Sequence, residues 1–340
     1  MESLFGKTLA ELQQLTAELD FPRYTAGQIA AWLYAKRVDS VEGMTNLSKH
    51  SRSLLSSRYE IGVQIPQKVQ VSADGTKKYL FGTGNGKFIE TAMIPENERI
   101  TVCVSSQVGC KMGCLFCMTG KQGFQGQLTA GEIVNQIRSI DESGSISNIV
   151  FMGMGEPFDN LEEVLKSVEI LTSPWGYAMS PRRITVSTIG IIPGMLAFLE
   201  KSEAHLAVSL HSPFDEERKN LMPVQAAYPI NDVIREIRSR DFSHQRRVSF
   251  EYIVFKGLND SYRHVRGLAR LLNGLNCRVN LIRFHPIPDT TLQGSDNDTV
   301  LAFRDMLNSK GIMTTIRASR GQDIYAACGL LSTKELVKNS

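Results

Sequence analysis

From about residue 100 the chain repeats one pattern, a short segment rich in β-branched residues followed by a longer amphipathic segment. The predicted strands are RITVCVS, SNIVFMG, RRITVST, AHLAVSLH, VSFEYIVF, RVNLIRFH and MTTIRAS. Apolar residues recur at helical spacing in TAGEIVNQIRSI, LEEVLKSVEILT, PGMLAFLEK, INDVIREIRSR, YRHVRGLARLLNG and TVLAFRDMLNSKG. Alternating strands and helices predict a parallel sheet with right-handed crossovers, either barrel-like or doubly wound.

The positions of polar residues distinguish these two arrangements. Several follow directly after predicted strands: Gly153 to Glu156, Ser187, Thr188, Ser209, His211 and His285. A barrel gathers the loops after all its strands at one face, whereas a doubly wound sheet has a single switch point. Many strand ends therefore predict an α/β fold with a partial (β/α) barrel over residues 96–340.

The first 95 residues have a different character. Residues 1–60 contain TLAELQQLTAEL and YTAGQIAAWLYAKR, which predict a small helical accessory domain that either packs against the core or presents a surface to a partner. Residues 61–95 are rich in β-formers interrupted by Asp74-Gly75 and Asn85-Gly86. These dipeptides are hairpin signals, so we predict a short antiparallel β extension.

The overall composition is that of a globular protein, with 42% hydrophobic and 21% charged residues. The formal net charge of +3 permits a polyanionic partner without identifying one. The N-terminal residues do not resemble a signal peptide, and no apolar run in the sequence is long enough to span a membrane. We therefore expect a cytoplasmic protein, in which clustered cysteines bind metals or react rather than form structural disulfides.

Four of the six cysteines lie within CVSSQVGCKMGCLFC, and the last three, Cys110, Cys114 and Cys117, have the spacing C-x3-C-x2-C. A short glycine-containing loop can bring these three thiolates to one metal centre. Structural zinc usually takes four ligands, and a redox pair uses only C-x2-C. An iron–sulfur cluster with one open iron uses all three cysteines, so the spacing favours a cluster over zinc or a redox pair.

The cysteine spacing just after the first strand of a βα repeat resembles the signature of the radical S-adenosylmethionine (SAM) superfamily. Longer stretches resemble the RlmN/Cfr family of radical RNA methyltransferases: CVSSQVGC, FMGMGEP, STIGIIP, SLHSP, RVNLIRFHP and AACG. The resemblance extends over the chain from about residue 85. It implies methylation of an adenine in 23S ribosomal RNA and, for RlmN members, also in certain tRNAs.

The resemblance also implies a set of ligands. A [4Fe–4S] cluster is expected on Cys110, Cys114 and Cys117. Contacts to SAM are expected from Gly155, Glu156, Ser187, Ser209, Leu210, His211 and His285. Two molecules of SAM are expected per turnover, with electrons from a donor such as flavodoxin or ferredoxin.

Three further residues acquire catalytic roles through the resemblance. Cys328 is expected to be methylated and then to lose a hydrogen atom, so that its methylene carbon adds to the base. Glu90 is expected to accept the proton from the adenine carbon. Cys103 is expected to release the product by forming a transient disulfide with Cys328.

The chain departs from the family pattern at three positions in or beside these sites. His285 stands where many relatives have asparagine, so that its contact could depend on pH. Tyr325 and Leu330 replace polar residues on either side of Cys328, which puts the hydrogen bonds of its loop in question. Cys277 matches no catalytic position, and we expect it to be buried as a small apolar side chain.

RNA contacts are expected from positively charged side chains, because phosphates dominate the affinity of such complexes. The candidates are Lys77-Lys78, Arg182-Arg183, Arg246-Arg247, Arg317 and Arg320. The expected partners are 23S rRNA and tRNA, bound by a monomer with no membrane association. Two alternative functions are a Cfr-type methyltransferase acting at carbon 8 and a zinc-stabilised RNA-binding protein without catalysis.

Overall fold

A ten-stranded mixed sheet organises the residues that the structure, a computed structural model, describes, namely 1–242 and 248–333. The strands are β1 (Glu2–Ser3), β2 (Tyr59–Glu60), β3 (Lys68–Val71), β4 (Lys77–Gly82), β5 (Phe88–Glu96), β6 (Arg99–Cys103), β7 (Gln107–Val108), β8 (Gly126–Gln127), β9 (Asn148–Phe151), β10 (Ile184–Thr188), β11 (His205–Ser209), β12 (Val248–Val254), β13 (Cys277–Arg283) and β14 (Met313–Ile316). β1 pairs with β2 and β7 with β8, outside the large sheet.

The predicted amphipathic segments form helices. The helices are α1 (Leu9–Glu18), α2 (Thr25–Ala30), α3 (Lys49–Arg58), α4 (Met118–Gln122), α5 (Ala130–Arg138), α6 (Leu161–Thr172), α7 (Ile192–Lys201), α8 (Asp215–Leu221), α9 (Ile230–Arg238), α10 (Tyr262–Leu271) and α11 (Asn297–Ser309). Of these, α3, α4 and α8 are additional helices that none of those segments predicted. A π-helical turn, Ala31–Ala35, continues α2. Both α1 and α5 begin with a capping box, in which a threonine and the glutamate three residues later satisfy free backbone amides.

The order of the parallel strands determines the type of fold. Neighbours in the described sheet run β6-β9-β10-β11-β12-β13-β14, which is also their order in the chain. Because the order never reverses, right-handed crossovers put the connecting helices on the same side of the sheet. A doubly wound sheet would reverse its order at a switch point. The prediction of a partial (β/α) barrel is confirmed.

The predicted hairpins form an antiparallel extension of the same sheet. β5 pairs with β6, and β4 and β3 follow it outward, all antiparallel. The chain turns between β3 and β4 at Asp74-Gly75 and between β4 and β5 at Asn85-Gly86, as the sequence predicts. This extension places residues of β5 beside the first strand of the barrel, where Ala92 pairs with Cys103.

One large apolar core lies under the sheet and includes the N-terminal helices. The ring of Tyr34 packs against Trp175 and Tyr177, with ring centroids 5.8 and 6.0 Å apart. The buried Arg138 of α5 donates to the carbonyl oxygens of Leu33 and residues beyond it. The N-terminal helices therefore pack against the core. In the described part of the chain, no helix combines the length and apolar character needed to cross a membrane.

Candidate active site

A cavity of about 190 Å³ opens where the parallel strands of the partial barrel end. Strand ends from β6 to β14 and two cysteine-bearing loops form its wall. Most of the predicted site residues border it: Cys103, Cys110, Cys114, Cys117, Gly155, Glu156, Ser187, Ser209, His211, His285 and Cys328. Two predicted residues, Glu90 and Leu210, do not.

The loop that carries three of these cysteines is shaped by close backbone packing. Gly109 has a φ of +71°, and a Cβ there would lie 1.7 Å from the carbonyl oxygen of Gly123. Only glycine fits such a position. The backbone amide of Cys117 donates to the carbonyl of Cys114 at 3.2 Å, and α4 begins at the next residue. Cys110 and Cys114 are buried, and Cys117 is half-buried at the cavity wall.

Burial raises the pKa of Cys110 to about 12 and that of Cys114 well above its usual range, with further increases from neighbouring thiols. Coordination to a metal overcomes such a shift because it deprotonates the thiol outright. No three His, Cys, Asp or Glu side chains of residues 1–242 and 248–333 are arranged to hold a single metal ion. A [4Fe–4S] cluster needs no such convergence, because each cysteine binds a different iron. The three thiols on this cavity match the three ligands of a cluster with one open iron, whereas structural zinc takes four ligands.

Glu156 lies after β9 in a position fixed by its neighbours. Gly155 has a φ of +100°, and a Cβ there would lie 2.5 Å from the side chain of Gln107. The Glu156 carboxylate accepts hydrogen bonds from the Thr188 hydroxyl at 2.6 Å and the Ile189 amide at 3.0 Å. Burial nevertheless raises the pKa of Glu156 to about 7. A cationic group, such as the ammonium of an amino acid, would favour its charged form.

The end of β11 is held by a buried arginine. Arg218 of α8 is fully buried and donates to the carbonyl oxygens of Ser209 and Leu210 at 3.1 and 3.2 Å. His211 has a φ of +57° and accepts the amide of Ile253 at Nδ1, 3.0 Å away. Burial lowers the pKa of His211 to about 3, so the ring is neutral and carries its proton on Nε2. His211 therefore borders the cavity as an uncharged ring.

Cys103 and Cys328 border the same cavity although they are distant in sequence. Cys103 ends β6, whereas Cys328 lies on the loop after β14. Burial and the Cys328 thiol raise the pKa of Cys103 to about 12, and the positive charge of Arg317 opposes this shift. Cys328, followed by Glu251 and Cys103, in turn raises the pKa of Arg317, although the partial burial of its side chain opposes this increase. Arg317 therefore provides positive charge next to both thiols.

The loop of Cys328 is held by backbone contacts and apolar packing. The amide of Met118 in α4 donates to the carbonyl of Gly329 at 2.8 Å, which joins this loop to the cluster loop. Leu330 is 6% exposed and packs in a second apolar cluster that includes Phe116. Tyr325, in contrast, is 60% exposed. Apolar packing therefore holds Leu330 in this loop, at a position where the family pattern predicted a polar residue.

Glu90 lies on β5, outside the cavity wall. Its carboxylate forms an ion pair with Lys78 at 3.0 Å and accepts the backbone amide of Ser332 at 2.9 Å. Lys78 is itself only 8% exposed. The expectation that Lys78 is a mobile surface charge for RNA is therefore wrong, because β4 directs this side chain towards Glu90. Glu90 reaches the C-terminal loop that carries Cys328, through Ser332.

Other predicted residues have mixed placements. The side chain of Leu210 is fully buried in the main core, so only its backbone is near the cavity. His285 is half-buried, and its Nε2 lies 3.1 Å from the Ser319 hydroxyl; burial, followed by Arg283, lowers its pKa. Cys277 is half-buried against the main core, less buried than expected.

The remaining candidates for RNA contact lie in different surroundings. Arg182, Arg317 and Arg320 line a second cavity of about 440 Å³ on the inner face of the sheet. Lys77 forms ion pairs with Asp141 and Glu142 at 3.1 and 2.7 Å. Arg246-Arg247 lie outside the described residues.

Comparisons with known proteins identify the family. A sequence model described as the radical SAM superfamily matches residues 104–269, and one described as the ribosomal RNA large subunit methyltransferase N-terminal domain matches residues 3–61. A probable dual-specificity RNA methyltransferase RlmN of Parabacteroides distasonis is 58% identical over 334 residues, which cover 98% of this chain and 97% of the relative. The chain belongs to the RlmN family.

Two more distant proteins are also similar over nearly the full length of the chain. The dual-specificity RNA methyltransferase RlmN of a Nitratiruptor species is 42% identical, with 98% of each chain covered. The crystal structure of a radical SAM methyltransferase from Sphaerobacter thermophilus, also 42% identical, has a TM-score of 0.90 over 97% of this chain and 99% of that one. The resemblance predicted from about residue 85 therefore begins near the N-terminus.

Membership in the RlmN family confirms the prediction of a radical SAM enzyme and implies a [4Fe–4S] cluster and SAM as its cofactors. It favours the RlmN alternative over the Cfr-type one and over a zinc-stabilised binding protein. Sequence reasoning missed Arg218, because DEERKNL has the charge pattern of a solvated helix. It also missed Glu251, whose neighbours are known only from strand pairing. Thr188 was placed at a strand end, but its hydrogen bond to Glu156 was not predicted.

Proposed function

We propose that this RlmN-family enzyme methylates carbon 2 of an adenine in 23S rRNA and in tRNA. The observation that carries this proposal is the convergence of Cys103 and Cys328 on the cavity that the cluster cysteines also border. Carbon 2 lies between two ring nitrogens and is electron-poor, so it does not attack an electrophilic methyl group. A carbon radical held on the protein overcomes this limit, and Cys328 is the proposed carrier.

The proposed cofactor sites use residues that border the cavity. Cys110, Cys114 and Cys117 would hold the cluster, and Glu156 would accept hydrogen bonds from the ammonium group of SAM. When bound, the cluster and SAM supply a 5′-deoxyadenosyl radical for hydrogen abstraction. We propose two molecules of SAM per turnover, one to methylate the Cys328 thiol and one for this abstraction. An electron donor such as flavodoxin or ferredoxin would reduce the cluster.

In this proposal, the protein's own residues form and break the bonds to the methylene carbon. The methylene radical on the Cys328 sulfur forms a bond to carbon 2, which leaves one unpaired electron on the ring. Glu90, which reaches the Cys328 loop through Ser332, takes the proton that leaves this carbon. Loss of one electron, which the oxidised cluster would take up when bound, restores the aromatic ring. The Cys103 thiolate then attacks the Cys328 sulfur, and the sulfur–methylene bond breaks with its electrons remaining on carbon. That carbon takes up a proton to become the methyl group, while both sulfurs are oxidised to a disulfide. We further propose that the enzyme acts as a monomer in the cytoplasm.

Nucleoside analysis tests the position of methylation. The full chain and its Cys328→Ala variant are expressed in cells that lack their own adenine carbon-2 methyltransferase, and 23S rRNA and tRNA are digested for mass spectrometry. We expect 2-methyladenosine in both RNAs only with the unaltered chain. The appearance of 8-methyladenosine without 2-methyladenosine would contradict the proposal and establish the Cfr-type activity.

A further inference from the structure

Glu251 lies at mid-depth on the inner face of the partial barrel. Ser249, Glu251 and Ile253 border the cavities, whereas Phe250 and Tyr252 between them are fully buried in the main core. This alternation follows the period of a strand, with successive side chains on opposite faces. Glu251 is the residue of β12 that borders both cavities.

The hydrogen bonds around Glu251 fix its carboxylate and leave one oxygen unused. Oε1 accepts from the Asn280 amide at 2.8 Å and from the Ser249 hydroxyl at 3.2 Å. The Thr315 hydroxyl donates to the Asn280 carbonyl oxygen at 2.8 Å, which orients that amide. Oε2 is buried and accepts no hydrogen bond from any described residue. Arg317 is 3.9 Å away, within reach of an ion pair but too far for a hydrogen bond.

The other carboxylate on the cavity wall has different surroundings. Each oxygen of Glu156 accepts at least one hydrogen bond, from Thr188, Ile189 or Phe158. Buried polar atoms are nearly always paired, and a group left unpaired without its ligand indicates that the ligand supplies the partner. Glu251 is 3% exposed, so bulk water does not readily supply that partner. Its Oε2 is thus an unused acceptor on a residue that borders both cavities.

The second cavity indicates the class of ligand. It is lined by four arginines besides Arg317: Arg99, Arg182, Arg278 and Arg320. The Nε of Arg278 is also buried without a hydrogen-bond partner among the described residues. Arginines are the preferred partners of phosphate groups. A nucleotide of an RNA carries both a phosphate for these arginines and a base for Glu251, whereas SAM has no phosphate.

We propose that Glu251 recognises the target base by accepting a hydrogen bond from the 6-amino group of adenine. This inference rests on the proposed action on adenine. Guanine has a carbonyl oxygen at the same ring position, and two acceptors repel each other. Asn280 and Ser249 act as positioning residues. Both donate hydrogen bonds to Oε1, which leaves Oε2 as the acceptor for the base. Enzymes that act on a base extracted from its stack identify it by such edge contacts.

The test compares RNA hairpins that carry either adenosine or purine riboside, which lacks the 6-amino group, at the target position. The reconstituted holoenzyme, Glu251→Gln, Glu251→Ala and the exposed-site control Glu203→Gln are each assayed for RNA binding by fluorescence anisotropy and for kcat/KM. The unaltered enzyme and the control should prefer adenosine about 10- to 100-fold, because a site built for a hydrogen bond rejects an analogue without it. Glu251→Ala should reduce this preference to about threefold or less. Differences in the intrinsic reactivity of the two bases cancel in the comparison between variants.

A separate binding measurement distinguishes the base of the RNA from the adenosine of SAM. Equilibrium dialysis should give the same SAM affinity for Glu251→Gln as for the unaltered enzyme. A weakened SAM affinity with an unchanged preference for adenosine would overturn the inference and assign Glu251 to SAM.

The unaltered enzyme provides a test that requires no folded variant. If it binds and methylates purine riboside as well as adenosine, the inference is wrong. If it does not methylate adenosine at all, the proposed function itself has failed.

Discussion

Two loops bring cysteines to the cavity, and they are held in different ways. The cluster loop, residues 109–120, has local contacts such as the packing of Gly109 on Gly123 and the bond from Cys117 to Cys114. It also has two longer-range backbone bonds, from Leu115 to Leu221 and from Met118 to Gly329. The C-terminal loop, residues 321–333, depends on distant parts of the chain. Asp323 accepts hydrogen bonds from Ser72 and from the amide of Ala73, and the amide of Ser332 donates to Glu90.

The difference separates two functions. Local contacts within the cluster loop shape the segment that carries all three proposed ligands, so only part of the cluster site depends on the rest of the chain. The C-terminal loop reaches its position only when the β extension and the barrel are both assembled. A change in the C-terminal loop should therefore disturb the chemistry at Cys328 while the cluster remains bound.

The largest expected effect comes from breaking the cluster loop. Cys114→Ala removes one of three thiolate ligands, so we expect loss of most bound iron and a loss of methylation of at least about 10³-fold. Iron analysis and absorbance near 400 nm after anaerobic purification measure the first effect. The matched control is Cys277→Ala, on β13 away from the cavity, which should retain the iron content of the unaltered chain. About four irons per chain are expected, and a colourless, zinc-containing protein would contradict the cluster assignment.

The next expected effect separates Cys103 and Cys328 from the cluster cysteines. Both Cys328→Ala and Cys103→Ala should keep their iron and lose turnover, because neither residue is a proposed ligand. Cys328→Ala should accept no methyl group on the protein, whereas Cys103→Ala should accumulate a covalent protein–RNA adduct. Mass spectrometry of the protein and gel electrophoresis with labelled RNA distinguish the two variants. Normal turnover by Cys103→Ala would show that its proposed role is wrong.

The same contrast explains what the sequence could predict. Strand and helix periodicity predicted the parallel strands, their helices and both hairpins, because these depend on neighbouring residues. The cysteine spacing predicted the cluster loop for the same reason. The pairing of Cys103 with Cys328 came from family resemblance, since no local pattern links β6 to a loop after β14. Arg218, Lys78 and Glu251 could not be placed from sequence, because tertiary contacts with distant strands and loops determine their burial.

A smaller effect is expected from the packing of the C-terminal loop. Leu330→Ala removes most of a buried apolar side chain and should lower the free energy of unfolding by about 2–4 kcal/mol. Tyr325→Ala, at the exposed position in the same loop, should change it by less than about 0.5 kcal/mol. Urea denaturation of both variants measures the difference, with iron content as a check on the cluster loop. Equal effects of the two substitutions would mean that packing of Leu330 does not hold the loop.

The smallest expected effect concerns His285, which borders the cavity. Burial lowers the pKa of His285 below its usual value near 6.5, so the folded protein binds fewer protons here than the unfolded chain as pH falls. This residue therefore contributes less to stability below pH 6.5, and its protonation makes both ring nitrogens donors, including the Nε2 that faces Ser319. His285→Asn should match the unaltered enzyme within about threefold at pH 7.5. The ratio of its kcat/KM to that of the unaltered enzyme should then rise between pH 7 and pH 5. A ratio that stays constant over this range would show that the His285 ring does not titrate in contact with the site.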